Sequence, residues 1–458
     1  MEMLRSFYTV CILHVVLTLA MVHAQDDQSG FMSIDCGIPE GSKYTDKKTG
    51  INYVSDAGFI ESGVSGEILP EYNYGNLDLP LTTLRSFPQN TRNCYTLRPK
   101  QGKNNTYLIR VRFYYGNYDS KGQVPEFDLY LGADLWSTVY IPESNENFYE
   151  LIHVASSDYI HICLVNTGQG NPFISAIELR LFEIIMDAPP STSLDLYNRY
   201  SFGSNDRVRF PDDKYDRMWY SWLLPGTRVV RTTSNTVTPG ASNVPSRVMS
   251  TAITPTLSTE NISLMLNTTI IYKYFFHIHF AEVEILKSNE TRGFNIYLNG
   301  ELWYGPFSPP AYTFRIQSST IVTGFSKYIF EINKTLNSTL PPLINAMEVY
   351  IVKEFQLQQT EDQDAAAIWS IKSTYGLKGN WQGDPCIPHA FLWKGLGCDY
   401  SDPQAAKIIS LNLSSSGLSG EIATALANLT MLESLDLSYN NLTGDVPEFL
   451  AQQDHLRI

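Results

Sequence analysis

His277 and His279 are two residues apart in an apolar run, so on an extended strand both imidazoles share one face, with Glu284 following. This is the H-x-H-then-Glu pattern with which cupin-type jelly rolls hold a divalent metal. The matching places in an earlier copy of the same strand are Arg110 and Arg112, and no second His-bearing motif completes a ligand set. The expectation is a half-polar strand face, with no metal and no cofactor. Glycoside hydrolysis would need two facing carboxylates. Glu126, Asp128, Glu282 and Glu284 are candidates, but all lie in strand contexts whose default is a solvated face. No Gly-rich phosphate loop, kinase signature or G-x-S-x-G elbow occurs, so neither phosphoryl nor acyl transfer is supported.

Binding chemistry has better candidates. Sugar rings stack on aromatic faces and need amide, carboxylate and phenol partners. Tyr114, Tyr115, Asn117, Tyr118 and Asp119 supply these within six residues, around Gly116. The ordinary alternative is that the same aromatics build a sandwich core or a turn, and a contact with a protein or peptide is a third reading. A second candidate is Gly383, Asp384, Pro385 and Cys386, where Asp-Pro restricts the backbone just before a cysteine. Cys386 and Cys398 bound one short segment and are expected to form a disulfide.

These residues must be positioned by repeated elements. Residues 127–136 (FDLYLGADLW) recur as 294–303 (FNIYLNGELW), and 109–113 (IRVRF) recur as 276–280 (FHIHF), both offset by 167. Residues 172–179 (PFISAIEL) return as 342–349 (PLINAMEV), offset by 170. Three collinear blocks imply two copies of one domain. Each is made of short Val-, Ile-, Tyr- and Phe-rich runs punctuated by Gly, Pro and Asn, the pattern of an antiparallel sandwich. The join, 187–193 (DAPPSTS), reads as an extended linker. Acidic residues at 361–364 lead into an Ala-rich stretch ending at Gly376, which predicts a helix. From Leu411 onward, L-x-L-x-x-x-x-L-x-G-x-I/V recurs every 24 residues, a leucine-rich repeat in which Asn440 would bond the backbone of the turn. About two repeats are present, and the stop at Ile458 leaves an open edge.

The fold class expected is mainly β: two tandem jelly-roll-like sandwiches, a short helix and a partial solenoid. The boundaries are a signal peptide over 1–24, the first copy over 25–186 and a linker over 187–200. The second copy follows over 201–353, a helix and disulfide-capped segment over 354–400, and repeats over 401–458. Lys and Arg total 33 against 47 Asp and Glu, a formal charge of -14, which lacks the footprint of a nucleic-acid binder.

The first 24 residues carry Arg5, an apolar run to Val22 and a short-residue cleavage site, the pattern of a secretory signal. That run is shorter than a bilayer span, and no other apolar stretch is longer. Asn-x-Ser/Thr acceptors at Asn104, Asn261, Asn267, Asn289, Asn333, Asn337, Asn412, Asn428 and Asn441 agree with a secreted address. Of the five cysteines after the signal, Cys36, Cys94 and Cys163 have no pairing deducible from spacing, and one thiol is left over.

With these elements in place, the chain resembles the ectodomain of plant malectin-like, leucine-rich-repeat receptor-like kinases. The resemblance rests on residues 33–37 (SIDCG), 50–56 (GINYVSD), 85–88 (RSFP), 92–95 (RNCY), 113–119 (FYYGNYD), 210–219 (FPDDKYDRMW) and 383–386 (GDPC). It implies tandem malectin-like domains outside the cell, a membrane helix and a kinase, neither of which is in this sequence. It also implies that 383–386 is associated with release of the malectin-like region by cleavage. The function expected is extracellular recognition of a cell-wall carbohydrate, a secreted peptide or a co-receptor ectodomain, without enzyme activity. The alternative is a secreted jelly-roll enzyme, metal-dependent or glycan-active.

Overall fold

The structure is a computed structural model. It describes residues 28–457 apart from 142–145, 185–191, 233–242, 258–260, 269–270, 319, 356–357 and 452–455. The expected signal peptide and residues 187–191 of the expected linker lie outside the described residues.

The chain is mainly β, and its largest element is a single eleven-stranded sheet that runs through both copies. From one edge its strands are Lys43–Thr45, Asn52–Ser55, Phe31–Asp35, Ala176–Leu181, Thr106–Phe113 and Asn147–Val154. Thr192–Ser201, Ala346–Glu354, Tyr274–Phe280 and Phe314–Gln317 continue it, and the short Tyr220–Ser221, paired in parallel with Thr192–Ser201, is the eleventh. Residues 192–200, expected as linker, are therefore strand. Leu151 pairs with Asp195 on one side, and Thr192–Ser201 pairs with Ala346–Glu354 on the other. The physical reason lies in burial of this segment at Ser193, Leu194, Asp195, Arg199 and Ser201, with Leu194 packed among Leu108 and Ile152 of the first copy and Phe275 and Tyr350 of the second.

Each half of the large sheet is faced by a four-stranded sheet. In the first copy this is Arg92–Leu97, Ile160–Gln169, Glu126–Leu131 and Asp134–Val139, in that order. In the second it is Ile262–Asn267, Lys327–Lys334, Phe294–Leu298 and Glu301–Phe307. The recurring block FDLYLGADLW/FNIYLNGELW is in both cases the outer hairpin. Tyr95, Ile109, Phe127, Trp136, Ile162 and Ile177 are among the residues of one apolar core, and Leu264, Phe276, Phe294, Phe330 and Val349 belong to another. Trp136 is fully buried and donates to Asp195 at 3.0 Å, whereas its counterpart Trp303 is only half-buried.

A third core holds the C-terminal part, with Ile368, Trp393, Leu411, Leu418 and Leu435. The helix Asp362–Tyr375 begins where the acidic cluster predicts it. Glu361 accepts from the amides of Gln363 and Asp364, and Gly376 caps the C-terminus with φ +61. Strands Ala405–Asn412 and Ser434–Asp436 pair in parallel, with Leu411 opposite Leu435, one 24-residue period apart. Asn440 spans the turn as its repeat position predicts. Its Oδ1 accepts from the amides of Ser416 and Leu418 at 3.0 Å, and its Nδ2 donates to the carbonyls of Leu413 and Leu437.

Candidate functional site

The aromatic loop serves the fold. Tyr114 and Tyr115 are buried members of the first core, and Tyr114 donates to the carbonyl of Tyr72 at 2.8 Å. Tyr115 donates to Asp119 at 2.6 Å, and Asn117 accepts from the amide of Gly122 at 2.9 Å. The half-buried Tyr118 packs on Phe173 with ring centroids 5.3 Å apart. Of the candidate sugar contacts Tyr114, Tyr115, Asn117, Tyr118 and Asp119, the two leading rings are buried in the core and Asn117 and Asp119 close the turn, as the core-or-turn alternative expects.

The His277/His279 face is likewise part of something larger. Both imidazoles are buried, and His279 Nε2 lies 3.0 Å from Glu348, while Glu284 is held away by Arg292 at 2.6 Å. Glu348 is the repeat counterpart of Glu178, which receives Arg110 at 2.6 Å. These residues belong to a buried ionic layer on the shared sheet. Arg110 also binds Glu150 at 2.6 Å, and Arg199 reaches both Glu150 and Glu348 at 2.8 Å, tying the copies together.

The segment carrying 210–219 lies over this layer. Arg209 and Arg180 bind Asp216 at 2.8 and 2.9 Å, and Asp213 accepts from Arg217 and from the Trp219 indole at 2.8 Å. Burial pushes the Glu178 carboxyl up, but Arg209, Arg110, Arg112 and Arg180 outweigh it and hold it well below the usual range. Burial also drives the His277 and His279 pKa values down, against the opposing pull of Glu348. Sequence reasoning found the pair but missed the layer; the signal available was the return of Glu178 as Glu348 opposite a matched Arg or His strand.

The remaining candidate lies where the C-terminal part meets the first copy. Gly383 packs against Arg92 and Cys94 on the outer face of the first four-stranded sheet, and Cys386 enters the C-terminal core. Asp384 is buried and accepts from the amides of Thr360, Cys386 and Ile387 at 2.8–3.0 Å, with burial raising its pKa. A Cβ on Gly383 would meet Arg92 Nη2 and Cys94 Sγ, each at 2.8 Å. Gln382 accepts from the amide of Cys94 at 3.0 Å, and Arg92 stacks 5.2 Å from the Phe391 ring. Cys386 and Cys398 form the expected disulfide. Cys94 pairs with Cys163 across directly opposed strands, leaving Cys36 as the buried free thiol.

Beside this junction is a cleft of about 270 Å³ lined by Phe59, Glu61, Arg98, Trp369, Lys372 and Gln382, among others. Lys372 binds Glu61 at 2.9 Å and lies 4.8 Å from the centroid of Trp369. The exposed Arg98 guanidinium lies 6.0 Å from the same indole. An indole wall flanked by charged and amide groups suits a partly apolar, polar-edged ligand such as a peptide side chain or a sugar. The sequence singled out 383–386 but not Trp369 or Arg98, which are 271 residues apart and meet only on docking. Among the described residues no group of three or more His, Cys, Asp or Glu is placed to hold a metal.

The malectin-like domain model matches residues 34–352, and a leucine-rich repeat model matches 431–452. A leucine-rich repeat receptor-like protein kinase sequence of Arabidopsis thaliana is 46% identical over 427 residues, covering 91% of this chain and 48% of the relative. The LRR receptor-like serine/threonine-protein kinase IOS1 of the same plant is 42% identical, covering 93% of this chain and 48% of its own length. The chain thus spans about half the length of the curated relatives it matches. Among solved structures, the ANX2 ectodomain from Arabidopsis thaliana aligns with a TM-score of 0.60 at 16% identity, over 70% of this chain and 97% of that one. A complex of the plant peptide RALF23 with FER and LLG2 aligns with a TM-score of 0.58 at 16% identity, over 70% of this chain and 95% of that one. At those identities the likeness is one of fold.

Proposed function

The chain belongs to the malectin-like family, and on that premise we propose that it is the extracellular recognition module of a plant receptor-like kinase type of protein. The observation that carries the reading is the collinear match of both sandwiches and the repeats to receptor-like kinases over 91% of the chain. The ligand class proposed is a secreted peptide, with a co-receptor ectodomain as second partner. The solved assembly of RALF23, FER and LLG2 supports that class by analogy of fold alone. A cell-wall carbohydrate is the alternative ligand. The cleft beside Trp369 is the proposed contact, because it lies between two parts of the chain and offers an aromatic wall, an exposed guanidinium and an amide.

In an intact receptor, a ligand there would bias the docking of the repeats on the first sandwich. Processing at 383–386 fits the same picture: Asp384 and Cys386 are buried, so a protease reaches them only after the segment opens locally. The test is binding of the purified glycoprotein to secreted plant peptides, to a co-receptor ectodomain and to cell-wall oligosaccharides, each repeated with Trp369→Ala. Peptide binding that weakens at least tenfold in the variant supports the site. Stoichiometric bound metal lost on His277→Ala, or turnover of a glycan, would sink the reading.

A further inference from the structure

The two four-stranded sheets are counterparts, yet their outer faces meet different fates. In the first copy the outward residues Arg92, Cys94, His161, Cys163 and Tyr130 are covered by the docked C-terminal part. Gln382 bonds at Cys94, Trp369 stacks on His161 at 6.0 Å, and Phe391 packs on Tyr130 at 6.5 Å. In the second copy the equivalent face has no protein over it among the described residues. Met265 and Leu302 are 48% and 58% exposed, with Ile329 and Tyr297 half-buried beside them. Sheet register places them together: Met265 opposes Ile329, and Tyr297 opposes both Glu331 and Leu302. An apolar sheet face left in water is an aggregation liability or a docking site.

The side-chain period of two decides which groups rise from this face. On the strand Ile262–Asn267, the inward residues are Ile262, Leu264 and Leu266, so Asn267 shares the outward side with Ser263 and Met265, and so does Asn261 just before it. On Lys327–Lys334, Tyr328, Phe330 and Ile332 point in, so Asn333 shares the outward side with Ile329 and Glu331. Asn261, Asn267 and Asn333 are all Asn-x-Ser/Thr acceptors. Asn261 and Asn333 lie together at one end of the patch, where Asn261 accepts from the amide of Lys334 at 3.3 Å, and Asn267 lies at the other end opposite Lys327. The outward strand positions of the first copy carry no acceptor at all.

We propose that N-linked glycans on Asn261, Asn267 and Asn333 cover the apolar outer face of the second sandwich, taking the part that the docked C-terminal segment plays on the first. The inference rests on the extracellular reading above. The experiment is glycopeptide mass spectrometry of the protein secreted from a plant host. Size-exclusion light scattering and apolar-dye fluorescence then follow on the folded glycoprotein before and after enzymatic trimming, and on the Asn261→Gln/Asn267→Gln/Asn333→Gln variant. The expected result is occupancy at all three positions, with self-association and raised dye fluorescence once the sugars are gone, both reversed by adding Met265→Lys and Leu302→Lys. Enzymatic trimming keeps the test decisive if the triple variant fails to fold. Glycans at Asn104 and Asn428 but none at the three positions would overturn this inference alone, as would a trimmed protein that stays monomeric and dye-silent. Bare asparagines at every acceptor would overturn the extracellular reading instead.

Discussion

Gly383 shows how one residue can hold a junction. It sits at φ +71 with Arg92 and Cys94 where a side chain would begin, so both backbone preference and space select glycine. Gly383→Ala is expected to cost about 1–3 kcal/mol and to loosen the docked C-terminal part. Thermal unfolding together with faster proteolysis near 383–386 would register it, and an unchanged cleavage rate would contradict the latch. Glu348 is the matching case in the ionic layer. Glu348→Ala takes one of the two 2.8 Å carboxylates from buried Arg199 and the 3.0 Å partner from His279, and a loss of about 3–5 kcal/mol is expected in denaturant unfolding. A loss below about 1 kcal/mol would show that Glu150 alone compensates Arg199.

At the scale of elements, the strand Ile160–Gln169 carries His161, whose ring is buried under Trp369. Burial, with Arg92 and Arg98 nearby, pulls its pKa down to about 3. A pKa lower in the folded state than the ordinary 6.5 means the unfolded chain binds the proton more readily. The contribution to stability is therefore complete above pH 6.5 and lost as pH falls towards 3. Asp35 and Asp195, raised to about 6 by burial, act in the opposite sense below that pH, so whole-protein curves mix the two. The stability difference between the parent and His161→Gln isolates the histidine. It is expected to shift against the parent by about 1.4 kcal/mol per pH unit below 6.5. A gap independent of pH would mean that His161 is solvated.

The helix Asp362–Tyr375 and the Cys386–Cys398 disulfide were legible from local pattern, because a cap, a dipole and a short loop are properties of neighbouring residues. The placing of the aromatic loop was not legible, for the opposite reason. Whether Tyr114 and Tyr115 face water or a core is decided by Phe173 and Tyr72, which are distant in sequence.

For the whole molecule, the continuous sheet is the main consequence. Two sandwiches on an extended tether would flex and unfold separately. Here Thr192–Ser201 is hydrogen-bonded to both copies, and Arg199 bridges Glu150 and Glu348 across the join. Both copies are therefore expected to unfold in one calorimetric transition, and two resolved transitions for the malectin-like region would refute the coupling.

Sequence by itself determined the duplication, the β class, the repeat period, the helix and the family, since each is written in local periodicity or in collinear recurrence. Only the tertiary structure decided that the copies share one sheet, that the histidine pair belongs to an ionic layer, and that Trp369 meets Arg98 across a cleft. Those outcomes depend on which strand edges and faces find each other over long stretches of chain. Hydrogen-bond register and burial set that choice, and neither is visible in any single segment.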